Sequence, residues 1–531
     1  MRQRSARKGA ASGADGARAR LAEAVAAHRR GRLDLAEPIY RDILRKAPDH
    51  PDALHLLGLV AHQRGDQAAA IRLIERALRL NPSNAAYANS FGLALLATGR
   101  IADADASFAR AIAGDPALAE AHNNLGNARM RAGDTAGAIA AYERAIALRP
   151  GYAEAHANLA ASLRRAGNLE PAGAAAERAL TIRPAYTGAL CTLGLIRHEQ
   201  GEYEAALAAY DRALTLDPEH ATTRANRATL LLLLGRMEEG WREYEWRWRA
   251  QGFTTKARDF ARPPWDGSDL AGRTILIHAE QGLGSAIQFV RYVPMVAARG
   301  GRVILECQPP LARLFASLAG GGAEAIVRKG ERLPDFAVHA PLMSLPQLLG
   351  TTLATIPSAV PYLAAEAEVS TFWRERLARV PRPRVGLVWA GNPNHANDRN
   401  RSLPARTLAP LLTCPGISFV DLQMGAAAGE CADLAEAGLI SPGKIGDFAD
   451  TAAIIAELDL VVSVDTAVAH LAGALAKPVW LMLPLVGEWR WLRERTDTPW
   501  YPTMRLFRQR GPSDWPGVVE AMGEALRARA W

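Results

Sequence analysis

The segment AEAHNNLGNARMRAGDTAGAIAAYERAIALRP, residues 119–150, decides the fold of the first half of the chain because its pattern recurs every 34 residues. Small and turn-forming residues fall into fixed columns. The first column is glycine, with alanine once: Gly58, Gly92, Gly126, Ala160 and Gly194. The second column is glycine throughout: Gly65, Gly99, Gly133, Gly167, Gly201 and Gly235. An alanine column and a proline column complete the unit: Ala70, Ala104, Ala138, Ala172 and Ala206, and Pro82, Pro116, Pro150, Pro184 and Pro218.

Each column has a steric reason. Small residues in the first glycine column and the alanine column let two antiparallel helices approach closely. The second glycine supplies the turn between those helices, where a residue without a Cβ is least strained. Proline ends the second helix because it lacks an N–H and clashes with the preceding turn. The pattern therefore predicts helix pairs that stack into a solenoid.

These units resemble the tetratricopeptide repeat, and the resemblance covers residues 17–250. It implies an all-α solenoid with a concave groove that binds a protein partner. A spacer or a dimerisation scaffold is the alternative use of such a solenoid. Asp103 and Asp105 form an Asp-X-Asp pair, which holds a metal and a diphosphate in some transferases. Because this pair lies inside a repeat helix, we interpret it as a solvated face.

Composition narrows the class of protein. A chain of 531 residues suits two or three domains. No apolar run reaches the roughly 18 residues of a membrane span, and the basic leader over residues 1–16 has no apolar signal core. We therefore expect a cytoplasmic protein with a disordered leader and no transmembrane segment. The net charge of +8 is mild and dispersed, so we predict no nucleic-acid partner.

Nothing in the cysteine pattern predicts a metal site or a cofactor. The chain has four cysteines without the spacing of zinc ligands: Cys191, Cys307, Cys414 and Cys431. We interpret them as buried small hydrophobic residues in a reducing compartment.

The second half of the chain alternates strands with helices. After a linker over residues 251–269, apolar strands start at Thr274 and, in a second series, at Val385. Strands that alternate with helices predict parallel sheets with right-handed crossovers. We therefore predict two Rossmann-like lobes, over residues 270–365 and 366–531, with a cleft between them. Ligands of such sheets bind beyond the carboxyl ends of the strands.

The first candidate site is VDTAVAHLAGALAKPVW, residues 464–480. Asp465 falls where a strand becomes a helix, which is a favourable N-cap position. Thr466 and His470 are four residues apart and share a helical face. The amides of Thr466 and Ala467 at a helix N-terminus form an anion site that suits a diphosphate. The alternative is a capped structural helix with a buried histidine.

The second candidate is WAGNPNHANDRNRSLP, residues 389–404, a dense polar loop after an apolar strand. Such a loop is typical of a ligand site, and Asn392 is one of its polar side chains. Arg399 or Arg401 can form a bidentate pair with a phosphate. A solvated surface loop is the alternative interpretation.

The third candidate is HAEQGLGSAIQFVRY, residues 278–292. Its two glycines form a tight turn into a helix, although they are not a phosphate-binding loop motif. Glu280 is a carboxylate at a strand end and could act as a general base.

Taken together, these stretches resemble the heptosyltransferase-type glycosyltransferases of the GT-B fold, in the branch with N-terminal tetratricopeptide repeats. The architecture also resembles the O-GlcNAc transferases. The resemblance implies a fold of an all-α solenoid followed by an α/β GT-B domain of two Rossmann-like lobes. It implies metal-independent, inverting sugar transfer from a nucleotide-sugar donor to a protein or glycan acceptor. It also implies that the donor is held by these residues: Arg401, Gln423, Asp465, Thr466, Ala467 and His470.

One position departs from the family. The family usually has an aspartate, the proposed base, where this chain has Ser285. A neutral hydroxyl cannot take up that proton at neutral pH. Either Glu280 or another group serves as the base, or catalysis is weak or absent. The alternatives to a transferase are therefore a non-catalytic sugar-nucleotide-binding adaptor and a scaffold whose repeats recruit partners.

Overall fold

The structure is a computed structural model that describes residues 18–280, 282–395 and 397–529. Its contacts divide the chain into two compact units, Met1–Pro218 and Glu219–Trp531. The predicted leader over residues 1–16 lies outside the described residues. In the part of the chain that the structure describes, no helix combines the length and the apolar character that a membrane crossing requires.

The first unit is the predicted all-α solenoid. A helical segment over residues 18–29 precedes α1 (Leu33–Lys46). Antiparallel helix pairs follow in chain order: α2 (Pro51–Gln63) and α3 (Gln67–Leu80), α4 (Ala85–Ala97) and α5 (Ile101–Gly114), α6 (Ala119–Ala132) and α7 (Thr135–Leu148), α8 (Ala153–Ala166) and α9 (Leu169–Ile182), α10 (Thr187–Glu199) and α11 (Tyr203–Leu216).

The geometry confirms the reason for each glycine column. A Cβ on Gly126 would lie 2.5 Å from Cε1 of Tyr142, so this position must stay small for α6 and α7 to pack. In the second column, Gly133 ends α6 with a φ of 86° and Gly167 ends α8 with a φ of 88°. Side chains rarely adopt this left-handed conformation.

The Asp-X-Asp pair lies on α5, as expected for a solvated helix face. The side chain of Asp103 is 54% exposed and pairs with Arg100, and that of Asp105 is 39% exposed and pairs with Arg129. Both carboxylates are therefore parts of surface ion pairs.

The last predicted repeat packs with the second unit. It forms α12 (Ala221–Leu233) and α13 (Met237–Tyr244), followed by a 3₁₀ turn over Glu245–Arg249. The buried Trp241 of α13 contacts Phe289 and Trp489 edge-on, with ring centroids 6.2 and 5.2 Å apart. The division between the units thus falls earlier in the chain than the predicted boundary at residue 250.

A fragment that ends at Pro218 is therefore expected to fold alone as a helical solenoid. A fragment that ends at residue 250 would expose Trp241 without its aromatic partners, so we expect it to be less soluble. Circular dichroism of residues 1–218 should show cooperative helical melting. An unstructured 1–218 fragment would contradict this prediction and would mean that the repeats depend on the second unit.

The described residues of the second unit form two parallel sheets, which confirms the predicted fold class. One has the strand order β3-β2-β1-β4: β1 (Thr274–His278), β2 (Arg302–Cys307), β3 (Ala325–Arg328) and β4 (Val338–Pro341). The other has the order β10-β9-β8-β5-β6-β7: β5 (Arg384–Val388), β6 (Ser418–Asp421), β7 (Leu439–Ile440), β8 (Leu460–Val464), β9 (Val479–Leu483) and β10 (Met504–Arg508).

Helices connect these strands. The longer ones are α14 (Leu283–Phe289), α15 (Ala367–Leu377), α16 (Phe448–Ala456), α17 (Ala467–Ala474) and α18 (Trp515–Arg527). Shorter helical turns cover Val293–Ala297, Ala312–Phe315, Leu345–Leu348, Asp398–Arg401, Ala409–Leu412 and Cys431–Ala435. In the larger sheet the strand order reverses between β5 and β8. Parallel α/β sheets bind their ligands at such a switch point.

The predicted linker over residues 251–269 packs against the first sheet. Phe260 contacts the rings of His278 and His339, with centroids 5.4 and 4.6 Å away. Arg258 pairs with Glu306 of β2. The segment thus covers one face of the sheet.

Candidate functional site

The candidate site is a cavity of about 880 Å³ at the carboxyl ends of strands from both sheets. Of the predicted site residues, nine line it: Glu280, Ser285, Asn392, Arg401, Gln423, Asp465, Thr466, Ala467 and His470. Arg399 is exposed and is not among the described lining residues. Predicted residues that are almost 200 positions apart in the sequence therefore line one cavity beyond the carboxyl ends of the strands.

The N-terminus of α17 borders the cavity directly after β8. Its N-cap residue is Thr466, with a φ of −138° and a ψ of 171°, and not Asp465 as the sequence predicted. The hydroxyl of Thr466 lies 3.0 Å from Oγ of Ser463, so it does not cap the first amides of α17. These amides carry the positive end of the helix dipole. This strand–helix junction is therefore suited to an anion.

His470 lies one turn into α17 and is 3% exposed. Its Nδ1 is 3.0 Å from the hydroxyl of Tyr501, and its Nε2 is 3.8 Å from Oδ1 of Asp465. The ring stacks on Trp491, with centroids 5.3 Å apart. Burial, together with nearby arginines, holds the pKa of His470 well below its usual value. The imidazole is therefore neutral at physiological pH.

Arg401 is held at the junction between β8 and α17. Its Nη1 donates to the carbonyl oxygen of Asp465 at 2.9 Å, and its Nε donates to Oδ1 of Asp398 at 3.1 Å. Asn392 lines the cavity from the same loop, and its side-chain oxygen accepts a hydrogen bond from the amide of Asn394. The polar loop after β5 thus delivers a guanidinium to the helix N-terminus.

Gln423, the predicted candidate for nucleotide recognition, lines the cavity with its side-chain amide bound to the backbone. Its Oε1 accepts from the amides of Trp389 and Ala390, at 3.0 and 2.9 Å. Its Nε2 donates to the carbonyl oxygens of Ala390 and Met424, at 3.0 and 2.8 Å. Because backbone groups take up both ends of the amide, Gln423 joins the ends of β5 and β6 and shapes the cavity wall.

Glu280, the predicted base, is part of a buried ion pair. Its carboxylate accepts from Nε and Nη2 of Arg247, at 2.8 and 2.9 Å, and from the amide of Met343 at 3.0 Å. The side chains of Glu280 and Arg247 are 0% and 3% exposed. Protein donors therefore engage both oxygens of the Glu280 carboxylate, and its side chain has no exposed surface. The geometry favours a structural role for Glu280.

Ser285 lies inside α14, whose N-cap is Gly282 with a φ of 69°. Its hydroxyl accepts a hydrogen bond from Nη2 of Arg490 at 2.9 Å. Gly284 brings α14 close to α17, since a Cβ on it would lie 2.9 Å from Cδ2 of His470. The glycines of this motif therefore serve a turn and a close approach.

Sequence reasoning missed Glu488 and Arg490, which also line the cavity and form an ion pair. Burial and the charge of Asp465 raise the pKa of Glu488, and Arg490 opposes this shift. Both residues lie in the GEWRW segment of the loop that follows β9, where the strand-end rule places ligand contacts. The described residues bring no group of three or more metal-binding side chains together.

Family comparisons match both halves of the chain. Tetratricopeptide-repeat models match residues 3–51, 21–85, 55–119, 89–153 and 123–187, and a further repeat model matches residues 194–235. The model of glycosyltransferase family 9 (heptosyltransferase) matches residues 442–480. The N-terminal region is thus a tetratricopeptide-repeat solenoid, and the matched part of the second half contains α17 and His470.

Individual proteins are also similar to this chain. Protein FlbA of Caulobacter vibrioides is 30% identical over 325 residues, which is 57% of this chain and 54% of FlbA. The chain therefore spans about half the length of this curated relative. The crystal structure of MamA has 28% sequence identity to this chain and a TM-score of 0.29. The match covers 31% of this chain and 96% of the MamA chain. The structure of the type IV pilus biogenesis factor PilW has 22% sequence identity and a TM-score of 0.36. The match covers 38% of this chain and 94% of the PilW chain.

Proposed function

We propose that this protein is a glycosyltransferase that moves a sugar from a nucleotide-diphosphate donor to a protein or glycan acceptor without a metal ion. The observation that carries the proposal is the convergence of the α17 N-terminus, Arg401 and His470 at one point of the cavity. Two of these three elements, the α17 N-terminus and His470, lie within the segment that matches glycosyltransferase family 9.

The donor diphosphate would bind at the N-terminus of α17. Free amides and a helix dipole of roughly half a positive charge favour an anion there. Arg401 would add a charged donor, because a guanidinium can hold phosphate oxygens in a bidentate pair. A neutral imidazole carries a single N–H. For His470 to donate a hydrogen bond to the diphosphate, this proton must be on Nε2, and Tyr501 must then donate to Nδ1.

The same groups would assist the chemistry. A hydroxyl of the acceptor attacks the anomeric carbon while the bond from that carbon to the phosphate oxygen breaks. Negative charge then develops on the diphosphate, where prearranged donors stabilise it most. The solenoid would recruit a protein partner through its groove, as repeats of this kind do.

Replacing His470 with alanine is expected to weaken the binding of nucleoside diphosphates by about 1–3 kcal/mol, because a hydrogen bond to a charged group is lost. Calorimetry with UDP, GDP and ADP measures this effect. His122→Ala, in the solenoid, serves as the matched control and should bind like the wild type. Unchanged affinity in a folded His470→Ala protein would sink the proposed donor site.

A non-catalytic sugar-nucleotide-binding adaptor is the second candidate function. It is favoured by Ser285 in the position of the family base and by the engagement of Glu280 with Arg247. Binding of nucleoside diphosphates without release from any nucleotide sugar would support the adaptor. Absence of binding would instead favour a scaffold.

A further inference from the structure

The carboxylate of Glu488 lines the cavity but has no role in the proposed donor site. One guanidinium connects it to Ser285: Nη1 of Arg490 contacts Oε1 of Glu488, and Nη2 donates to Oγ of Ser285 at 2.9 Å. Although Glu488 and Ser285 are 203 positions apart, they lie within one guanidinium's width of each other. A carboxylate therefore occupies the neighbourhood of the position where this chain has serine.

Glu488 is the most accessible of the carboxylates that line the described cavity. Its side chain is 30% exposed, against 14% for Asp465 and 0% for Glu280. Asp465 faces His470 at 3.8 Å, and Glu280 is enclosed by Arg247. Glu488 is thus the carboxylate that a molecule in the cavity can reach most easily.

The surroundings of Glu488 also suit proton uptake. Partial burial in the cavity wall and the charge of Asp465 raise the pKa of Glu488, despite the opposing charge of Arg490. A carboxylate becomes a more effective base as its pKa approaches the working pH. Arg490 meanwhile holds the carboxylate in place, since its guanidinium is also fixed by Gln288 and stacks on Trp489 at 4.3 Å.

We propose that Glu488 is the general base of the transfer reaction and that Ser285 and Arg490 orient the acceptor beside it. This inference rests on the proposed glycosyltransferase function. The proton of the acceptor hydroxyl passes to the Glu488 carboxylate as its oxygen bonds to the anomeric carbon. The bond from that carbon to the phosphate breaks, and its electron pair leaves with the nucleoside diphosphate. Water replaces the acceptor when the donor is hydrolysed.

The test measures nucleoside diphosphate release from a panel of UDP-, GDP- and ADP-sugars by the full chain. Glu488→Gln is expected to lower the rate by roughly 10²–10⁴-fold, the usual contribution of a positioned base. UDP binding, followed by calorimetry, should change little. Glu494→Gln is the matched control because Glu494 is exposed and is absent from the described cavity lining, so its rate should equal that of the wild type.

Two further readouts separate a base from a structural carboxylate. The wild-type rate of release should fall at acid pH as Glu488 becomes protonated. This acid limb of the pH–rate profile should be absent in Glu488→Gln. Adding Ser285→Asp to Glu488→Gln should restore part of the rate, since a carboxylate then returns beside Arg490. If Glu488→Gln does not fold, Glu488→Asp should keep the acid limb, and its loss would overturn the proposal.

The outcomes distinguish the two levels of inference. Release by Glu488→Gln at the wild-type rate would overturn the role of Glu488 and leave the transferase intact. So would a loss of UDP binding as large as the loss of rate. Binding of UDP without release by the wild type would refute the base and leave donor binding. If no nucleotide or nucleotide sugar binds, the proposed function itself fails.

Discussion

Replacing Arg247 with methionine is expected to destabilise the second unit by about 3–5 kcal/mol, because it leaves a buried charge without its partner. Glu280 would keep only the amide of Met343 as a hydrogen-bond donor among the contacts described above, and its side chain is 0% exposed. Removing the carboxylate as well, in Arg247→Met/Glu280→Met, should recover much of the loss, since apolar replacement of a whole buried pair is often neutral.

Tryptophan fluorescence in urea can measure this effect selectively. All 12 tryptophans lie beyond Pro218, so the fluorescence reports the second unit, while the helical dichroism is dominated by the solenoid. Arg249→Met is a matched control two residues away: its partner Glu219 is 72% exposed, and such a surface pair contributes only about 0–1 kcal/mol. Equal changes in the two variants would show that the buried pair has no special weight.

Acid is expected to destabilise the same unit below about pH 6.5, the usual pKa of histidine in an unfolded chain. Burial, reinforced by His339 and nearby arginines, lowers the pKa of His278 to about 3, and the pKa of His470 is also well below its usual value. The unfolded chain therefore takes up protons that the folded chain excludes. The free energy of unfolding should fall by up to about 1.4 kcal/mol per pH unit for each histidine.

The loss should continue until the pH passes the depressed pKa of the folded protein. The raised pKa of Glu488 acts in the opposite direction, because the folded protein binds that proton more readily. Comparing variants removes this offset. Fluorescence-detected urea unfolding between pH 7 and pH 5 should give a shallower slope for His278→Gln than for the wild type, and an unchanged slope for His122→Gln in the solenoid. Identical slopes in all three proteins would contradict the prediction.

Local sequence determined the solenoid almost completely. The small residue at Gly126, the turn at Gly133 and the proline after each unit act within one helix pair, where sterics depend on residues close in the chain. The same holds for the strand–helix alternation of the second half. Because parallel strands end at one edge, the sequence also predicted that the loops after β5 and β8 would border a ligand site beyond the strand ends.

Only the tertiary structure decided which side chains are available within that site. Arg247 reaches Glu280 across 33 residues and holds this candidate base in a buried ion pair. Backbone groups form hydrogen bonds with both ends of the Gln423 side-chain amide. Arg490 joins Ser285 to Glu488, which are more than 200 residues apart. Periodicity carries no information about such pairs, because burial and hydrogen-bond partners depend on chain segments that are distant in sequence. The positions of the strand ends predicted where the site lies. The packing of the second unit determined which of its charged side chains are paired with one another.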